Sequence, residues 1–318
     1  MTLINGGFLV FPALEKRFWA KLPSLASGLA GVIIDLEDSI YAAAKADARK
    51  MVLANAEVLR ALKLNNPELQ VYLRINNSAT SFFKKDIPLA RRLVISKLID
   101  GVCYPKVGSA SDLSHLYRVL KTGKTPTKLF LAIETLEGYS NYKALIAPEL
   151  GVRYVVIGAE DLCADMGLAR PRVFYDNPLL NHIAVTVSLQ AQLKEVSFLG
   201  NVWPYLSKSK LLPCFLKELA ADFQVGAAGK IIFHPYQIEF VNKALTAELH
   251  GRYPGKVILS RISALQKHAD DTGLYVVVHD GRMVDMPEKV RFNKWREAVS
   301  EKKTKSVPKP VTQSTKRK

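Results

Sequence analysis

Short apolar runs recur along the chain, and each ends abruptly in polar residues. The first, residues 8–11, closes at Pro12. Residues 31–36 open into Glu37-Asp38-Ser39, residues 70–75 carry Arg74 near their end, and residues 101–104 stop at Pro105-Lys106. Residues 129–133 deliver Glu134, and residues 154–157 deliver Gly158 and then Asp161. Each run is the length of a buried strand. Residues 198–203 make a weaker seventh run, and residues 230–233 an eighth that leads into His234-Pro235.

Between the runs, apolar residues return at helical spacing. Residues 14–27 place Leu14, Phe18, Leu22 and Leu25 on one face, with a kink expected at Pro23. Further helices are predicted over 42–62, 87–98, 112–120, 139–147, 177–196, 213–223 and 237–245. Strand and helix alternate at roughly 25 to 35 residues per unit, a rhythm that favours a parallel sheet. Eight such units predict an α/β fold, a closed (β/α)8 TIM barrel over residues 1–250. After Pro254 the pattern changes to a helix over 257–271, an apolar run over 274–278, the stretch 280–287 and a last helix to about Val299. Residues 251–300 are expected to form a C-terminal helical extension over the active-site mouth, or to make subunit contacts.

Composition fits a globular protein, 48% hydrophobic and 23% charged over 318 residues. No apolar run is long enough to span a membrane. The N-terminus reads as a first strand and not as a signal peptide. Cys103, Cys163 and Cys214 are odd in number and lack metal-like spacing, so free thiols in a reducing cytoplasm are expected. The net charge of +16 could attract nucleic acid, an anionic surface or a polyanionic small molecule. Part of it lies in residues 301–318, a lysine-rich, Pro/Ser/Thr-rich tail expected to be disordered. No nucleic-acid motif accompanies the charge, which favours a polyanionic small molecule over nucleic acid.

Parallel α/β folds gather their chemistry at the carboxyl ends of the strands. There the sequence supplies Arg17, Lys21, Asp35, Glu37, Asp38, Arg74, Lys106, Glu134, Asp161 and His234. Glu134 and Asp161, with no His or Cys beside them, suit a hard, oxygen-loving cation such as Mg²⁺. Singly these residues have plainer readings: a strand-ending Glu caps a helix, Arg74 pairs with an acid, His234 makes a structural hydrogen bond. Together on one face they make a carboxylate-rich mouth with cations for an anionic substrate.

The motifs at these positions are Phe-Pro-Ala (11–13), Ile-Ile-Asp-Leu-Glu-Asp-Ser-Ile (33–40), Leu-Arg-Ile-Asn (73–76) and Tyr-Pro-Lys-Val (104–107). They continue with Ala-Ile-Glu-Thr-Leu-Glu-Gly (132–138), Ile-Gly-Ala-Glu-Asp-Leu (157–162), Gly-Lys-Ile-Ile-Phe-His-Pro-Tyr-Gln-Ile (229–238) and Asp-Gly-Arg-Met-Val-Asp-Met-Pro (280–287). In this order the chain resembles the citrate lyase β-subunit and malyl-CoA/citramalyl-CoA lyase family, within the HpcH/HpaI aldolase superfamily. The resemblance implies a Mg²⁺-dependent TIM barrel with Glu134 and Asp161 as metal ligands. It implies that Arg74 holds substrate and stabilises an oxyanion, and that Glu37 and Asp38 hold metal-bound water and Arg74. Asp285 matches an acid/base aspartate that relatives supply from a neighbouring subunit. Arg17, Lys21, Pro105, Lys106, Ile231, Ile232 and His234 match substrate- or CoA-binding positions. Around strand seven the aspartate usual in relatives is missing, and Trp203 and Tyr205 make that rim bulkier.

The implied activity is a carbon–carbon lyase. It would cleave, or condense, a 3-hydroxyacyl-CoA such as malyl-CoA or citramalyl-CoA into acetyl-CoA and a 2-keto acid. Thioester hydrolysis is a potential second activity. The implied assembly is a homotrimer or homohexamer. A metal-dependent aldolase on free 2-keto acids and aldehydes is one alternative. A non-catalytic barrel whose basic tail binds nucleic acid is the other. The intact Arg74, Glu134, Asp161 and Asp285 set disfavours the last.

Overall fold

The computed structural model describes residues 6–123, 126–206, 208–251, 255–290 and 293. They divide into two compact units, one up to Thr246 and one from Ala247 onward. The first unit runs β1 (Gly7–Pro12), α1 (Lys16–Leu25), β2 (Leu29–Asp35), α2 (Lys45–Ala54), α3 (Ala56–Asn65), β3 (Gln70–Arg74), α4 (Phe83–Ile95), β4 (Gly101–Tyr104) and α5 (Ala110–Leu120). It continues with β5 (Lys128–Ile133), α6 (Leu136–Ser140), α7 (Tyr142–Leu145), β6 (Val152–Ile157), α8 (Ala159–Asp165) and α9 (Pro178–Leu193). Then come β7 (Ser197–Leu199), α10 (Lys208–Gln224), β8 (Lys230–Ile232) and α11 (Tyr236–Gly251), which runs on into the second unit.

All eight strands pair in parallel, in the order β7-β6-β5-β4-β3-β2-β1-β8. Gly200 then closes the ring. Its N–H donates to the Gly229 carbonyl at 2.8 Å and its carbonyl accepts from the Ile231 N–H at 3.0 Å. This is the (β/α)8 barrel that the alternation predicts. Strand alternation sorts the side chains. Leu9, Phe11, Val32, Ile34, Val71 and Leu73 face the helices, whereas Phe8, Val10, Ile33, Tyr72, Phe130 and Tyr154 fill the barrel. Phe8, Tyr72, Phe130 and Tyr154 interlock, with ring centroids 5.3 to 5.9 Å apart. Gly31 makes room for this floor, since a Cβ there would overlap the Phe8 ring. Each fully buried aromatic stabilises the fold by about 1.5–3 kcal/mol, and the polar layer of the site stands on this floor.

The seam between β7 and β8 rests on a buried ion cluster. Lys230 Nζ donates to the Asn201 carbonyl at 2.7 Å and to Asp222 Oδ2 at 2.5 Å, and reaches Glu218 Oε1 at 3.3 Å. Arg170 Nη2 joins Glu218 at 3.2 Å, and the Tyr175 hydroxyl donates to Asp222 Oδ1 at 2.6 Å. Lys230, Glu218 and Asp222 are shut off from solvent. Burial pushes the Asp222 carboxyl up to about 6, with Lys230 holding it down.

Several elements differ from the periodicity. The stretch 42–62 is not one helix. A short 3-10 turn (Ala42–Ala44) is followed by α2 and α3, which break at Asn55, whose side chain takes the Met51 carbonyl at 2.9 Å. The expected 139–147 helix is two short helices starting earlier, because Thr135 caps the Gly138 N–H at 3.0 Å. Helix α8 follows β6 directly, so Asp161 stands in a first helical turn.

The second unit contains α12 (Gly255–Thr272) and an antiparallel ribbon, β9 (Val276–His279) and β10 (Arg282–Asp285). The sequence reading expected one apolar run here. Asp280 and Gly281, both left-handed at φ 51° and 71°, turn the chain back as a two-residue hairpin. Arg261 on α12 holds Glu288 at 3.2 Å, and Ser260 Oγ lies 2.8 Å from His279 Nε2. Residues 286–290 are helical. The rest of the helix expected to Val299 and the tail 301–318 lie outside the described residues.

Removing the Lys230 ammonium leaves two buried acids without their cation. Lys230→Ala is expected to cost about 3–5 kcal/mol of unfolding free energy. Urea unfolding at unchanged slope reads this loss, and a change within experimental scatter would mean that the seam does not depend on the ion.

Candidate active site

The site is built where β2 to β6 end. Asp35 and Arg74 are register partners on β2 and β3. Their side chains meet in a fork, Arg74 Nε to Oδ1 at 2.7 Å and Nη2 to Oδ2 at 2.6 Å. The Glu37 N–H and the Ser39 N–H and hydroxyl also donate to the Asp35 carboxylate. Burial alone would push this carboxyl up, but the Arg74 charge and these donors outweigh it and hold it below the usual range. The same pairing keeps Arg74 charged despite its own burial.

The loop after β2 is pinned from behind. Lys45 Nζ donates to the Leu36 and Glu37 carbonyls, each at 2.9 Å. Asn76 Nδ2 donates to the Leu36 carbonyl at 3.1 Å and to Asp86 at 2.6 Å, and Arg49 neutralises Asp86 at 2.9 Å. Glu37 is thereby turned inward. Its Oε2 lies 3.4 Å from Arg74 Nη1 without a hydrogen-bond partner among the described residues. Burial pushes the Glu37 carboxyl up, against the pull of Arg74 and Lys106.

Lys106 stands at the centre. Its ammonium donates to Glu37 Oε1 at 2.7 Å and Asp38 Oδ2 at 2.8 Å, and lies 3.7 Å from Asp161 Oδ1. Its N–H donates to Glu134 Oε1 at 2.7 Å. Glu134 is buried just past β5, and its Oε2 lies over Gly158, where a Cβ would overlap it. Burial pushes the Glu134 carboxyl up to about 7; Lys106 opposes this and the negative charge of Asp161 adds to it. A buried carboxylate crowded by a second acid is a place for a cation. Glu134 and Asp161 therefore fit a hard divalent ion through oxygen, the Gly158 cradle leaving room for the outer carboxylate oxygen. Among the described residues no three His, Cys, Asp or Glu side chains form a metal-holding group; an ion held by Glu134 and Asp161 would have positions left for water and substrate.

Asp35, Glu37, Asp38, Arg74, Lys106, Glu134 and Asp161 thus come together. Pro105 is buried beside Lys106, its carbonyl accepting from Asn77 Nδ2 at 3.0 Å. Arg17 and Lys21 are exposed on α1, and the Arg17 guanidinium is taken by Glu15 at 3.0 Å. Ile231 faces the barrel interior and Ile232 the helices, so these side chains are packing. His234 is exposed, and its Nδ1 accepts from the Tyr236 N–H at 3.2 Å. Trp203 is fully buried against Phe215 and Tyr205. Asp285 ends β10 in the second unit, half-buried. All three cysteines are free, and burial pushes the Cys103 and Cys163 thiols up, which leaves them poor nucleophiles. Sequence reasoning missed Asn77, Asn76, Asp86 and Lys45, whose work is to hold loops. Asparagines after β3 were the available signal.

A profile of the HpcH/HpaI aldolase/citrate lyase family matches residues 22–235. The chain belongs to this family. Citrate lyase subunit beta of Leuconostoc mesenteroides subsp. cremoris is 27% identical over 272 residues, covering 83% of each chain. L-malyl-CoA/beta-methylmalyl-CoA lyase of Rhodobacter capsulatus is 26% identical over 286 residues, 84% of this chain and 86% of the relative. Both relatives are lyases. Among solved structures, the citrate lyase beta subunit of Mycobacterium tuberculosis complexed with oxaloacetate and magnesium superposes with a TM-score of 0.59 at 25% identity. That match covers 76% of this chain and 97% of that one. CitE of the same organism, in complex with magnesium, acetoacetate and coenzyme A, reaches a TM-score of 0.68 at 22% identity, over 93% of this chain and 97% of that one. No described helix is long and apolar enough to cross a membrane.

Two outcomes are expected at this site. Between pH 4.5, the ordinary glutamate value, and about 7, an unfolded chain has released the proton that folded Glu134 still holds. The cation-free protein should therefore lose stability as pH rises through that window, by roughly 3 kcal/mol, and Glu134→Gln should flatten the slope. Gly158→Ala should push Glu134 off its seat and weaken Mn²⁺ binding at least tenfold, read by paramagnetic titration, with the far-ultraviolet circular dichroism unchanged. Wild-type affinity in Gly158→Ala would mean that Glu134 is not a ligand.

Proposed function

We propose that the protein is a Mg²⁺-dependent carbon–carbon lyase acting on a 3-hydroxyacyl-CoA such as malyl-CoA or citramalyl-CoA. Its products are acetyl-CoA and a 2-keto acid, and the reverse condensation uses the same groups. The observation that carries this is the meeting of Glu134 and Asp161 with an Arg74 already aligned by Asp35. The two lyase relatives, one of them named for malyl-CoA, support it.

Glu134 and Asp161 would hold Mg²⁺ through carboxylate oxygens. When bound, the ion supplies Lewis acidity to the substrate hydroxyl and orients it with the adjacent carboxylate. Arg74 is held rigidly by Asp35, so its outward N–H groups stabilise the negative charge that develops on oxygen as the bond breaks, without reorganising. Lys106 and the inturned Glu37 keep the approach ordered. Asp285 is the acid/base group that exchanges a proton with the α-carbon of the thioester. In a homotrimer or homohexamer it serves the barrel of a neighbouring subunit. Arg17, Lys21 and the basic balance of the chain suit the phosphates of CoA.

The test is keto-acid release from malyl-CoA and citramalyl-CoA with Mg²⁺. Glyoxylate or pyruvate should appear with the wild type and be lost in Glu134→Ala and Asp285→Ala. Arg74→Lys should cost about 10²–10³-fold in turnover. Release of free CoA without a keto acid would instead make the protein a thioesterase, and aldol cleavage of free acids alone would make it an aldolase.

A further inference from the structure

Lys106 reaches Glu37, Asp38, Glu134 and Asp161, and it does so with two different parts of itself. The main chain is left-handed at φ 51°, a conformation that L side chains rarely adopt. It is held there by Asn77, whose Nδ2 donates to both the Pro105 and Lys106 carbonyls at 3.0 Å, while Asn77 Oδ1 accepts from the Ala79 N–H at 2.9 Å. In that conformation the Lys106 N–H points at Glu134 Oε1, 2.7 Å away. A strained residue at a site persists only where its surroundings over-determine it, as Asn77 does here.

The ammonium does the second job. It bridges Glu37 and Asp38 at 2.7 and 2.8 Å and stops 3.7 Å from Asp161. The mouth holds the carboxylates of Asp35, Glu37, Asp38, Glu134 and Asp161. Asp35 is neutralised by Arg74. Were Lys106 absent, the remaining acids would form one negative basin open to cations.

We propose that Lys106 is the positioning residue of this site: its main chain aims Glu134, and its ammonium withholds Glu37 and Asp38 from the divalent ion. The ion is thereby confined to Glu134 and Asp161, and Glu37 stays with Arg74 and the substrate. This rests on the proposal that Glu134 and Asp161 bind a divalent ion, and the two halves of Lys106 can be tested apart. Lys106→Met keeps a long stem and removes the charge. Lys106→Arg keeps the charge. Asn77→Ala keeps the ammonium and loosens the main chain.

The experiment is Mn²⁺ binding to the full-length, substrate-free protein, followed by electron paramagnetic resonance, with thermal unfolding of each cation-free variant as a check on folding. The wild type and Lys106→Arg are expected to bind one ion. Lys106→Met is expected to bind it at least tenfold more tightly, or to take a second, because the positive charge that repels the ion has gone from beside Asp161. Asn77→Ala is expected to bind one ion at least tenfold more weakly, since Glu134 loses its aim. An isotherm for Lys106→Met that overlays the wild type, with Glu134→Gln abolishing binding, would overturn the Lys106 proposal and leave the metal pair standing. No binding in the wild type would overturn both.

Discussion

A permanent positive charge in a barrel mouth is tolerable only if an anion is built in beside it, and the Asp35–Arg74 fork meets that need. Desolvation disfavours both ions, and the paired geometry offsets it only because Asp35 has donors on every side. The pair ties β2 to β3 at their last registered residues. It also sets the loop that carries Glu37 and Asp38, since the Glu37 N–H is one of the donors. Glu37 is placed with respect to this fork, its N–H on Asp35 and its Oε2 3.4 Å from Arg74 Nη1.

The aromatic floor makes these charges matter. Phe8, Tyr72, Phe130 and Tyr154 close the barrel beneath the polar layer, so the field of Arg74 and the acids is little screened from below. Glu134 registers the consequence, held near neutral pH by burial and by Asp161. Such a group has more to gain from a divalent ion than an exposed carboxylate. The buried Lys230 cluster supports the same barrel from the opposite seam, using ions as ties between β8 and α10.

Cations therefore have separate duties here. Arg74 pairs with Asp35, Lys106 bridges Glu37 and Asp38, Lys45 supports loop carbonyls, and Lys230 ties the barrel seam. A net charge of +16 counts them all alike.

By itself the sequence determined the eight alternating units, the parallel sheet and the strand-end positions of Arg74, Glu134 and Asp161. Strand length and helical period are local properties, and a carboxylate one step past a buried run must emerge at the strand's end. Family motifs spanning residues 11–287 added the chemistry. Tertiary structure alone decided the rest. The Asp35–Arg74 fork needs the β2–β3 register, 39 residues apart in the chain. The Lys106 contacts need a left-handed residue that Asn77 holds from another loop. The breaks at Asn55 and before Gly138 follow from side chains competing for backbone groups, which hydrophobic period does not encode. Which lysine is a buried tie, as Lys230 is, and which stands in the mouth, as Lys106 does, is a matter of burial and partners, and those exist only once the barrel is closed.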